Sequence, residues 1–129
     1  MSDGPQGAAV LVWRRTVNDG REWLILHRAH NGSDYEGDWA WTPPSGVRDD
    51  GEDAASCALR ELREETGLDL DVELVDESTQ WAVFVAEAPS DADVSLNFEH
   101  DRYESVSADE AERRCLPPNV GTAFRVPTG

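Results

Sequence analysis

Apolar positions fall into short β-like runs on either side of one segment with helical periodicity. Ala8 to Trp13 and Trp23 to Leu26 read as strands. Asn18-Asp19-Gly20 between them is a turn signal, which predicts a hairpin. Ala29 to Asp38 is polar and turn-rich and reads as a loop. Pro43-Pro44-Ser45-Gly46 excludes helix, and a second polar loop, Arg48 to Gly51, follows. Glu52 to Thr66 carries Ala54, Ala55, Ala58, Leu59 and Leu62 among Glu and Arg, and is the strongest helix of the chain. Gly67 stands where a helix-ending glycine belongs. Asp71 to Val75, Trp81 to Val85 and Tyr103 to Val106 read as further strands. Ser107-Ala108-Asp109-Glu110 has capping-box spacing and predicts a second helix that stops before Pro117-Pro118. The tail, 117–129, is weakly specified. The order strand, strand, helix, strands, helix predicts a mixed α/β (α+β) layer protein in one domain, 1–129, with no internal repeat.

Composition narrows the function. Hydrophobic residues make up 39% and charged residues 29%, the balance of a globular chain. No apolar run approaches the ~18 residues of a membrane span. The N-terminal Met1-Ser2-Asp3-Gly4-Pro5 has neither the basic region nor the apolar stretch of a secretory signal. The formal net charge is -16, and all 11 basic residues are Arg. So acidic a surface repels nucleic acid and anionic membrane, which points to a small-molecule partner. It also repels phosphate, so a phosphate-handling site needs a divalent cation to reverse the local sign. The two cysteines, Cys57 and Cys115, form no metal-binding cluster. Both read as reduced, small apolar residues of a cytoplasmic protein.

On the central helix, Glu64 and Glu65 follow Glu61 at i+3 and i+4, so three carboxylates share one face. Ala54, Cys57 and Ala58 continue that face toward the N-terminus and are small enough to admit another part of the chain. Leu59, Leu62 and Ala55 form a second stripe, which reads as the core face. Three like charges near a helix C-terminus oppose both one another and the helix dipole. A solvated acidic face would tolerate this, and a hard cation with oxygen ligands would turn it into a gain.

The longer spacing separates those two readings. Five residues lie between Gly46 and Glu52, and seven more precede Arg60-Glu61-Leu62-Arg63-Glu64-Glu65-Thr66-Gly67-Leu68. This resembles the Nudix box in every fixed position, from Gly46 to Leu68. The resemblance implies an α/β/α sandwich, with a mixed sheet between helices, and a hydrolase acting on phosphoric anhydrides. It implies Mg2+ or Mn2+ held by Glu61, Glu64 and Glu65. It implies an Arg60–Glu52 pair that orients the loop, with Arg60 nearer a structural than a catalytic role. Gly46 would allow close approach to the metal, and Gly67 would end the helix. The family commonly has Pro-Gly-Gly where this chain has Pro44-Ser45-Gly46. The Ser45 carbonyl remains available to a metal, although a left-handed backbone would suit Ser less than Gly. Glu64, or a carboxylate outside the box, would take the proton from the attacking water.

Glu99 is the leading outside carboxylate, with Asp101 and Glu104 as competitors, and His100 reads as an ordinary loop residue. Arg28, at the end of the second strand, is a phosphate-contact candidate. Trp39 and Trp41 flank the entrance to the box, where they could stack on a base or pack the loop onto the sheet. The best-supported substrate is a nucleoside triphosphate or dinucleoside polyphosphate. The alternatives are a nucleotide sugar, or a binding or regulatory domain without catalysis. The resemblance also allows a homodimer.

Overall fold

The computed structural model describes residues 5–18, 20–77 and 81–128. It contains seven strands, β1 (Gly7–Arg15), β2 (Arg21–Arg28), β3 (Trp41–Thr42), β4 (Ser45–Val47), β5 (Glu73–Asp76), β6 (Trp81–Glu87) and β7 (His100–Val106). Three helices, α1 (Ala54–Thr66), α2 (Ala108–Arg114) and α3 (Pro118–Gly121), are followed by a 3-10 stretch, Thr122–Thr128. The expected hairpin is present, with Trp13 opposite Trp23 and Arg15 opposite Arg21. Asp19, the centre of its turn, lies outside the described residues. The strands β3 and β4 were not foreseen. They have two and three residues, too few to carry a period, and they adjoin Pro43-Pro44.

The sheet is mixed and splits along one edge. β6 runs parallel to β1 over the length of Gly7 to Trp13. On its other edge β1 pairs with β2 at one end and with β4 at the other. β2 in turn takes β3 and β7. Alternate residues therefore face opposite layers. Ala8, Val10, Val12, Leu24 and Leu26 pack with Cys57, Ala58 and Leu62 of α1. Leu11, Trp23, Ile25 and Trp41 pack on the other side with Ala111, Cys115 and Phe124. The result is an α/β/α sandwich whose β4–α1 corner sits on one face. No helix among the described residues is long and apolar enough to cross a membrane.

Local chemistry explains the helix limits. The Asp53 side chain accepts from the Ser56 amide at 2.8 Å and starts α1. Gly67, at φ 75°, ends it in the left-handed conformation that a side chain would resist. Ser107 caps α2, accepting from the Glu110 amide at 3.1 Å. Both cysteines are free and buried. Burial pushes the Cys57 thiol up to about 11 and the Cys115 thiol up to about 12, so both are inert as nucleophiles.

The inward face of α1 differs in part from the expected one, keeping Leu62 but not Leu59 or Ala55. Its buried residues are Cys57, Ala58, Glu61, Leu62, Glu65 and Thr66. Ala55 is exposed and Leu59 half-buried. The small residues, not the larger aliphatic stripe, let α1 approach β1 and β4. Two of the three glutamates are therefore turned toward the protein.

Candidate functional site

β4 and the loop after it lie across the inward face of α1. Glu52 and Arg60 form a two-pronged ion pair, with Nε donating to Oε2 at 2.8 Å and Nη2 to Oε1 at 2.9 Å. Glu52 also accepts from the Asp49 amide at 2.9 Å, and Arg60 donates to the Val47 carbonyl at 3.1 Å. One guanidinium thus ties the loop at both ends to the helix. Its hydrogen bonds hold the Glu52 carboxyl at about 2, well below the ordinary carboxylate range.

The same guanidinium reaches the acids of the helix. Its Nη1 donates to Glu61 Oε2 at 3.0 Å and to Glu64 Oε1 at 3.4 Å. Glu65 accepts from the Ser45 amide at 3.1 Å. Ser45 has no left-handed backbone, since Trp39 is the one non-glycine residue with positive φ among those described. Its replacement of a family glycine is therefore unstrained. Gly46 likewise has ordinary φ, and its requirement is space. A methyl group there would overlap the Glu61 carboxylate, which lies directly against the glycine.

Burial sets the electrostatics. Desolvation is the largest cause pushing the Glu65 carboxyl up to about 9, opposed by the Ser45 amide and reinforced by Glu61 and Glu99. Desolvation also raises Glu61, against the pull of Arg60. Two buried acids lying together cannot both ionise cheaply without a cation. As they stand, no three His, Cys, Asp or Glu side chains among the described residues enclose a metal. Glu52, Glu61 and Glu64 instead converge on the Arg60 guanidinium. The donor chemistry nevertheless fits a hard divalent ion, with clustered carboxylate oxygens and a nearby backbone carbonyl at Ser45. Binding would require Glu61 and Glu64 to exchange Arg60 for the ion.

This yields a signed prediction for metal-free protein. Glu61 and Glu65 are raised in the fold, so their contribution to stability is full below the unfolded value of 4.5. It is lost as pH rises toward about 9, the value of Glu65. Glu52 works in the opposite sense, losing its contribution as pH falls through about 2. Melting followed by circular dichroism in EDTA should show Tm falling by several degrees from pH 5 to pH 9. Glu65→Gln should flatten that fall. Added Mg2+ should raise Tm more at pH 8 than at pH 6, because its ligands must be ionised.

The outlying candidates separate clearly. Asp101 is committed to buried His27, at 2.8 Å from Nδ1. Glu104 is committed to Arg114 at 2.8 and 3.1 Å. Among the described residues the Glu99 carboxylate accepts one side-chain bond, from Asn97 at 3.2 Å, and its charge is felt at Glu65. Arg28 is exposed at the end of β2. The next amide, that of Ala29, donates to the Glu99 carbonyl at 3.0 Å, so Arg28 and Glu99 border one another.

The stacking expectation for Trp41 is corrected. Trp41 is only 1% exposed and belongs to the core opposite α1. Its ring lies under the guanidinium groups of Arg102 and Arg114, at 5.1 and 4.4 Å. Its indole N–H donates to Glu36 at 2.8 Å. Trp41 therefore packs the 29–38 loop onto the sheet. Trp39 remains 47% exposed, at φ 68°. Two exposed rings escaped the sequence reading, Phe98 beside Glu99 and Tyr103 opposite Leu26 on the α1 side of the sheet. The alternation of β7 could have indicated Tyr103, but exposure of Phe98 has no local signature. The groove beside Tyr103, lined also by Leu24, Leu68 and Val94, measures about 50 Å3. That is far below the ~300–1,000 Å3 of ordinary ligand pockets.

The family model for the NUDIX domain matches residues 5–122. The RNA pyrophosphohydrolase of Dinoroseobacter shibae is 39% identical over 79 residues, which cover 60% of this chain and 49% of that protein. Nudix hydrolase 25 of Arabidopsis thaliana is 47% identical over 45 residues, covering 35% of this chain and 25% of that protein. The chain thus matches at most about half the length of these curated relatives. Among solved structures, a C. elegans Ap4A hydrolase binary complex superposes with TM-score 0.74 at 23% identity, covering 92% of this chain and 91% of that one. That likeness concerns the fold.

Proposed function

The chain belongs to the Nudix family, and on that premise we propose that it is a divalent-metal-dependent hydrolase of a nucleoside diphosphate linked to another group. The observation that carries this reading is the buried Glu61–Glu65 pair held against Gly46 and Ser45. A fold needing only an acidic surface would not bury two carboxyl groups, at a cost of several kcal/mol for an unpaired charge. A domain that merely binds nucleotides would not need the full set of helix acids in reach of one another.

Glu61, Glu64 and Glu65, with the Ser45 carbonyl, would hold Mg2+ or Mn2+. When bound, the cation supplies charge neutralisation of the diphosphate and a polarised water. The chain does the rest. Glu52 and Arg60 keep the 46–52 loop against the helix, so that the acids stay in register. Glu64, exposed on α1, or Glu99, just before β7 and close enough for its charge to be felt at Glu65, accepts the proton of the attacking water. Arg28 lies where a phosphate oxygen can be bound. Phe98, Tyr103 and Trp39 offer faces for a base. The free buried cysteines fit the reducing interior of the cytoplasm.

Within this class the best substrate is a dinucleoside polyphosphate or nucleoside triphosphate. RNA, which the Dinoroseobacter relative's name gives as its substrate, suits a chain of net charge -16 poorly, because a polyanion is repelled beyond the metal site. A nucleotide sugar is the second reading, and the open, unpocketed surface near Tyr103 is what favours keeping it. A panel assay decides among these. The protein with Mg2+ is incubated with dinucleoside polyphosphates, nucleoside triphosphates, nucleotide sugars and 5′-triphosphorylated RNA, and the products are identified by mass. Turnover of at least one small nucleotide is expected. Inertness across the whole panel would overturn the hydrolase reading in favour of a binding domain.

A further inference from the structure

His100 opens β7 and is only 6% exposed, yet its Nδ1 is buried with no hydrogen-bond partner among the described residues. It is the one buried side-chain nitrogen or oxygen so placed among them. A buried polar atom without a partner costs about 1–3 kcal/mol, and native chains rarely keep one that serves nothing. The β2–β7 register shows what it adjoins. His27 pairs with Arg102 and Arg28 pairs with His100, with Asp101 as the extra residue of a bulge. Asp101 is turned to His27. The bulge thus places His100 beside Arg28, on the face that Leu24 and Leu26 share with α1. A strand without the bulge would set Asp101 opposite Arg28, where its carboxylate would occupy the guanidinium as an ion pair. His100 also follows Glu99, whose charge is felt at Glu65.

We propose that His100 is a substrate-binding residue, whose ring turns from its closed position so that Nδ1–H donates to a phosphate oxygen of a diphosphate chain seated beside the Arg28 guanidinium. This rests on the hydrolase reading above and deepens it. Burial favours the uncharged ring, which still offers one N–H. A neutral donor next to a cation holds a phosphate without adding a second positive charge to an acid-rich site. The bulge at Asp101 is then a device for presenting a ring rather than a carboxylate to the substrate.

The test uses the full chain and three forms: wild type, His100→Leu and His100→Asn. Asn can place a side-chain N–H near the Nδ1 position, and Leu cannot. Tm is measured by circular dichroism. Affinity for methylenebisphosphonate with Mg2+ is measured by calorimetry, and KM and kcat on the nucleotide that wild type turns over. His100→Leu should keep or raise Tm, because an unsatisfied atom is removed. It should weaken bisphosphonate binding and raise KM about tenfold, with kcat within about threefold. His100→Asn should restore most of the affinity. A lowered Tm with unchanged affinity and KM would make His100 structural and overturn the proposal. An unchanged affinity with raised Tm would overturn it too. Failure of wild type to hydrolyse any nucleotide would instead remove the hydrolase reading on which the proposal stands.

Discussion

Glu64→Gln should lower kcat/KM on the native substrate about 10³-fold while leaving the fold and Tm nearly intact. Glu64 is exposed, and its longest-range anchor is a 3.4 Å contact with Arg60. Little of the packing depends on it, and surface substitutions of this kind typically change stability by less than ~0.5 kcal/mol. Its proposed chemical role is different. The amide keeps the size and loses both the charge that would hold a cation and the ability to take a proton. General-base loss alone is worth about 10²–10⁴-fold. The check is steady-state kinetics with a melting curve on the same preparation. A Tm fall of many degrees would mean that lost activity reports unfolding. Retained activity would move the base to another carboxylate, and Glu99→Gln would then be the variant to show the large loss.

Gly46→Ala should be the second severe change, and of the reverse kind. The added methyl would occupy the place of the Glu61 carboxylate. That carboxylate is the end of a side chain and can move, so the fold should survive with a cost of about 1–3 kcal/mol. Its displacement takes Glu61 from Arg60 Nη1 and from Glu65 together. A misplacement near 1 Å at a reacting centre costs about 10²-fold. Activity should therefore fall about 10²-fold with a modest drop in Tm and weaker Mg2+ affinity. Metal titration followed by activity would measure this directly. Wild-type Mg2+ affinity in the variant would show that Glu61 is not a ligand.

These two variants mark where the sequence was readable. The box from Gly46 to Leu68 was legible because its spacing encodes one geometry. Gly67 and Ser107 were legible because caps are local chemistry, whereas Asp53, read as inside the helix, is the cap of a helix that starts at Ala54. The inward face of α1 was misread in part: hydrophobicity assigned the core to Leu59, Leu62 and Ala55, and of these only Leu62 is buried. The sheet instead needed the narrow side, at Cys57 and Ala58, so that β4 could approach. For Trp41 the sequence left stacking and packing open, and only the fold decides for packing, because Arg102, Arg114 and His27 come from elsewhere and enclose it. Glu99 already led from its place in the chain, but only the pairing of Asp101 and Glu104 removed its competitors. His100 depended on a bulge, and no local pattern announces a bulge in a strand of seven residues.

The central claim is that the buried acid pair serves water attack on a phosphoric anhydride with a divalent ion. Hydrolysis of the panel's substrate in oxygen-18 water, with Mg2+ and with EDTA, tests it most directly. One labelled oxygen should appear in a phosphate-bearing product with Mg2+, and none above background with EDTA. Product formation without label, or labelling undiminished by EDTA, would contradict it.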